Sequence, residues 1–110
     1  IFDPALDTWT TANLSEAKSD LVVVSDGTVA VFAGGNSGSH STATGTVDIY
    51  DSATDQWTSD HLSQPRASLS AASAGGKGIF AGGYYDDPPT FAGAVDVFDF
   101  VKMQFVTPLN

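Results

Sequence analysis

A chain of 110 residues with 42% hydrophobic and 11% aromatic content is long enough for one small packed domain, which excludes the disordered and collagen-like classes. Its formal net charge of −9, thirteen acids against Lys18, Arg66, Lys77 and Lys102, repels phosphate backbones and anionic lipid, so nucleic acid is not an expected partner. The lack of cysteine removes disulfides, thiolate metal sites and cysteine nucleophiles together and leaves the compartment open.

The chain opens on Ile1 rather than Met and shows no basic leader with an apolar core, so a processed or truncated piece is expected. Residues 1–13 read as an outer hairpin, with Ile1-Phe2-Asp3 and Thr8-Trp9 flanking a turn. Asn13-Leu14-Ser15 is an acceptor triplet for N-glycosylation, of consequence only in a secreted protein. Lys18 then precedes two short apolar runs, residues 21–24 and 29–33, separated by the turn Ser25-Asp26-Gly27. The first run is far too short to cross a bilayer, so no membrane insertion is expected. Gly34-Gly35 follows, then a polar loop over residues 36–45 that carries His40. Val47-Asp48-Ile49-Tyr50 alternates, residues 51–55 turn, and Gln56-Trp57-Thr58 begins a fourth strand.

The second half runs through the same stations. Pro65-Arg66 precedes a strand over residues 68–74, Gly75-Gly76-Lys77-Gly78 turns, and Ile79-Phe80-Ala81 leads to Gly82-Gly83. A loop over residues 84–93 holds Tyr84, Tyr85, Asp86, Asp87 and Phe91, and a final pair of strands carries Phe98 and Phe105. No stretch has the 3.6-residue periodicity and caps of a helix.

Sliding the chain against itself by 48 residues aligns 62 positions without a gap, 21 of them identical. Average composition gives about one identity in fifteen by chance, so the chain is a duplication. Trp9, Trp57 and Phe105 fall at equivalent places, as do Phe2, Tyr50 and Phe98, and Gly34-Gly35 falls on Gly82-Gly83. Four antiparallel strands in about fifty residues is the arithmetic of a propeller blade. The predicted fold class is therefore all-β, an incomplete ring of about two and a half four-stranded blades: an outer hairpin (1–13), a blade (14–61) and a second blade (62–110).

A double glycine after a strand, then an aromatic and a tryptophan with six residues between them (Tyr50 and Trp57), with Pro65-Arg66 ahead of the next inner strand, resembles the kelch repeat. The resemblance covers the whole chain and is best in the middle. The last unit departs from it, with Phe105 for the tryptophan and Val101-Lys102-Met103 where a polar turn is expected. Blades cannot bury both faces alone and must stack. Trp9, Trp57, Phe105, Tyr50 and Phe98 are expected to pack between neighbouring blades, and Gly34, Gly35, Gly82 and Gly83 to allow close backbone approach. The glycine pairs are not phosphate loops, since no Lys-Ser/Thr pair follows. Two and a half blades do not close a ring; further blades of a longer chain or other copies would complete it.

Positions that break the repeat are free to serve a ligand. The loops over residues 36–45 and 84–93 share only Thr and Gly. In kelch proteins such loops line a partner-binding face, so the resemblance implies a site at His40, Tyr84, Tyr85, Asp86, Asp87 and Phe91, the aromatics giving hot-spot area. The aspartates would select a basic or hydroxyl-bearing ligand, whereas the plainer alternative is a variable soluble loop. Lys18 and Arg66 stand at equivalent places where kelch proteins can engage acidic peptides; either could instead bond a loop carbonyl of a neighbouring blade.

Catalytic signals are weak. His40 and His61 lie at non-equivalent places and form no metal cluster, and Ser39-His40-Ser41 does not set up triad geometry. Asp3, Asp7, Asp51 and Asp55 bracket turns and are expected to cap backbone N–H groups rather than bind calcium. Kelch folds include copper radical oxidases, but their cysteine–tyrosine cofactor has no cysteine here. No cofactor and no metal are expected. The expected function is a protein-binding or assembly module. The alternatives are part of a carbohydrate-active or redox propeller enzyme with its catalytic groups in other blades, and a purely structural extracellular component.

Overall fold

The computed structural model describes residues 1–37, 42–85 and 90–106. These are all-β, and each strand pairing among them is antiparallel. A short ribbon opens the chain, β1 (Phe2–Asp3) and β2 (Thr8–Trp9), with Phe2 opposite Trp9. The next strands are β3 (Lys18–Ser19), β4 (Val22–Ser25), β5 (Val29–Ala33), β6 (Asn36–Ser37), β7 (Thr42–Ala43), β8 (Thr46–Asp51) and β9 (Gln56–His61). The second half supplies β10 (Ser70–Ala74), β11 (Lys77–Ala81), β12 (Tyr84–Tyr85), β13 (Thr90–Phe91), β14 (Val95–Asp99) and β15 (Gln104–Val106).

Two four-stranded sheets result, β4-β5-β8-β9 and β10-β11-β14-β15. Their registers coincide at the 48-residue offset: Tyr50 faces Trp57 as Phe98 faces Phe105, and Phe32 faces Asp48 as Phe80 faces Asp96. The β1–β2 ribbon keeps the same aromatic register, Phe2 against Trp9, so it matches the third and fourth strands of each sheet.

Local chemistry sets the turns. Asp26 Oδ1 accepts from Thr28 N (2.9 Å) and Val29 N (2.8 Å), and those bonds hold its carboxyl below the usual aspartate value. Asp3, Asp51 and Asp99 accept backbone N–H groups at the start of three equivalent turns. Asp55 does not cap; it accepts from the Tyr50 hydroxyl at 2.8 Å and takes a left-handed backbone. That backbone repeats at Asp7 (φ 54°), Asp55 (56°) and Met103 (56°) whatever the side chain. Methionine is poorly suited to this region, whereas asparagine enters it readily. Met103→Asn should therefore stabilise the protein by about 0.5–1 kcal/mol in urea unfolding.

The two sheets pack face to face with opposite chemistries. The first contributes an aliphatic face, Val24, Val29, Val31, Ala33, Val47 and Ile49, all buried. The second answers with an aromatic face, Phe80, Phe98 and Phe105, whose rings lie 5.2–6.1 Å apart. The closest backbone approach between the sheets is at their first strands, β4 and β10. On the adjoining β11, Gly78 leaves room for Val24: a Cβ there would stand 2.8 Å from Val24 Cγ1 and 3.5 Å from the Phe100 ring. The equivalent position in the first sheet, on the face turned away, is Ala30.

Candidate functional site

Between the second and third strands of each sheet the chain leaves through a small hairpin, β6–β7 in one and β12–β13 in the other. The double glycines start these excursions. Gly34, Gly35, Gly82 and Gly83 all have positive φ, from 70° to 107°, a region that side chains rarely enter. Space matters as well: a Cβ on Gly34 would meet Arg66 O at 2.6 Å and Leu69 Cδ2 at 2.8 Å. At Gly82, the equivalent position, the same Cβ would meet nothing within 4 Å.

One extended segment joins the two hairpins into a single rim. Gly35 N donates to Arg66 O at 2.8 Å and Arg66 N donates to Thr44 O at 3.2 Å, while Ala67 and Tyr84 exchange bonds of 2.9 and 3.1 Å. β7 and β12 thus lie on either side of residues 66–67, and β3 extends the rim beyond β6. On this rim Tyr84 and Tyr85 are half-buried, and Phe91, opposite Tyr84, is 84% exposed. His40, Asp86 and Asp87 lie outside the described residues.

Arg66 is placed differently. Its side chain is fully buried and bonds within its own unit: Nη1 donates to Ala94 O (2.7 Å) and Gly82 O (3.1 Å), and Nη2 donates to Asp96 Oδ2 at 2.5 Å. Its Nε finds no partner among the described residues. Since its main chain bonds the first unit's hairpin, Arg66 ties the two units together at the root of the rim. Lys18 is the reduced version, half-buried, with one bond from Nζ to Thr46 O at 2.7 Å. Burial lowers the pKa of its ammonium, and Asp48 and Glu16 offset this only in part. Glu16 accepts from the hydroxyls of Thr44 and Thr46, which hold its carboxyl below the usual value.

A repeated clasp accompanies these bases. Ser15 donates its N–H and hydroxyl to Asp48, and Ser63 does the same to Asp96, with distances of 3.0–3.3 Å. The recurrence of both residues at the 48-residue offset was the available signal, but nothing in the sequence says that they meet.

The aromatic set divides. Phe98 and Phe105 lie between the sheets, whereas Trp57 stacks on Phe32 (5.8 Å) and Tyr50 (4.9 Å) on the other face of the first sheet. Trp9 is 76% exposed and touches Phe2 at 5.1 Å. Asn13 is exposed, in the connection after β2. No protein-family model matches this chain, and no curated protein matches it.

Proposed function

We propose that this chain is a section of a kelch-type β-propeller that serves as a binding or assembly module and meets a protein partner through the hairpin rim. The supporting observation is where the repeat is kept and where it is lost. Registers, glycine pairs, turn conformations and the Ser–Asp clasps recur at one offset, while the adjoining hairpins carry Asn36-Ser37 in one unit and Tyr84-Tyr85 in the other. The closest approach of the sheets at their first strands agrees with blades that radiate from a hub. Arg66 and Lys18 serve the scaffold in this reading, and recognition falls to Tyr84, Tyr85 and Phe91. The acidic balance of the chain favours a basic protein surface as partner.

Phe91 is the sharpest test, because its side chain supports little of the fold. Proteins captured by the wild-type chain should bind Phe91→Ala or Tyr84→Ala/Tyr85→Ala protein about 30-fold more weakly, the loss of a 2 kcal/mol hot spot. The thermal midpoint of Phe91→Ala should be unchanged. Equal binding by all three proteins would remove the rim as the recognition surface.

A further inference from the structure

The two equivalent sheets are buried unequally. On the second sheet the face that carries Ala71, Phe80 and Phe105 is covered by the first sheet. On the first sheet the equivalent residues, Val23, Phe32 and Trp57, line an open apolar groove of roughly 760 Å³. Val23 is 53% exposed. The far wall of the groove is the β1–β2 ribbon with its following connection, including Ile1, Trp9 and Leu14.

What the groove lacks can be read from the intact sheets. In them the third strand pairs on both sides, β8 with β5 and β9, and β14 with β11 and β15. β1 occupies the third-strand place, yet among the described residues it pairs only with β2. The ribbon is therefore the outer half of a third sheet, and the groove lies where the inner half would stand. In the interface already formed within this chain, that inner half lays Val24, Val29 and Val31 against Phe80 and its neighbours.

We propose that this groove seats a two-stranded apolar β-hairpin from a unit of the same repeat, which pairs with the free edge of β1 and sets an aliphatic face on Val23, Phe32 and Trp57. Strand addition supplies main-chain bonds and the aromatic floor supplies apolar contact. A whole second copy does not fit the same seat, because the outer strands of its sheet would coincide with β1–β2. The inference shares the equivalence of the units with the functional reading above but is independent of the rim.

Both tryptophans of the chain line the groove, so their emission reports its occupancy. The probe is a synthetic peptide of residues 21–33, with lysines added at both ends for solubility, and it contains no tryptophan. Added to the full chain, it should shift emission to the blue and reduce acrylamide quenching in a saturable way. A control peptide with serine at positions 22, 24, 29 and 31 should do neither. Val23→Asp protein should bind the probe more than about tenfold more weakly, because the complex would bury an unpaired charge. Val23→Ile should keep binding, and Tyr84→Ala/Tyr85→Ala protein should respond as the wild type does, which separates this test from that of the rim. No shift with the probe, or equal shifts with both peptides, overturns the proposal. A blue shift that follows protein concentration alone, with doubling of the mass in sedimentation, also overturns it, because a second copy would then be the occupant.

Discussion

Arg66→Ala is expected to lower the unfolding free energy by about 3–5 kcal/mol, the usual cost of removing one partner from a buried ion pair. The fully buried guanidinium satisfies the Gly82 and Ala94 carbonyls and the Asp96 carboxylate at once. Truncation would leave the Gly82 carbonyl without this donor, leave Ala94 O to Gly82 N and Asp96 to Ser63 alone, and open a void at the join between the units. Arg66→Lys should recover part of the loss and not all of it, because an ammonium lacks the planar fork that reaches separate acceptors. Lys18→Ala supplies the scale: it removes a single bond from a half-buried side chain and should cost about 1 kcal/mol. Urea midpoints for the three variants measure the series. Equal losses for Arg66→Ala and Lys18→Ala would show that burial of the guanidinium contributes nothing.

Phe80→Ala should cost about 3–5 kcal/mol, while Phe32→Ala, the same change one repeat earlier, should cost about 1–2 kcal/mol. Phe80 is fully enclosed between the sheets, and its removal leaves a cavity that the aliphatic face of the first sheet cannot follow. Phe32 lies on the open groove and loses mainly its contact with Trp57, since solvent can fill the space. Chemical denaturation of the two variants gives the comparison directly. If both cost the same, the two faces are equally covered in solution and the groove is not open.

The all-β class and the positions of the strands were legible because periodicity, glycine pairs and turn residues are local signals. In sequence the last turn is a departure, with Val101-Lys102-Met103 in place of polar residues, yet Met103 adopts the left-handed backbone that Asp7 and Asp55 adopt. Burial was not legible. Trp9, Trp57 and Phe105 are indistinguishable by position in the repeat, yet Trp9 is exposed on the far wall of the groove, Trp57 lies on its floor and Phe105 packs, partly buried, against the core. The difference comes from the neighbouring sheet, which no single repeat encodes.

Arg66 was legible as a special position but not as a buried one, because its depth depends on carbonyls contributed by residues 82 and 94. The Ser15–Asp48 and Ser63–Asp96 clasps were visible only as recurring letters, since their partners are 33 residues apart. Of the predicted rim, Tyr84, Tyr85 and Phe91 stand together on one hairpin. Arg66 lies beneath it, with its side chain turned inward.

The pairing of an aliphatic face with an aromatic one gives the join between the two sheets a direction. Beyond its internal join the chain ends in two unlike surfaces: Phe32, Tyr50 and Trp57 at one boundary, Ile79, Val95 and Val97 at the other. Like meets unlike, so a twofold mating of two identical ends would place ring on ring or methyl on methyl and forgo the fit seen inside. In the assembly proposed above, growth would be vectorial, each layer reading the one before it, as a plug reads a socket.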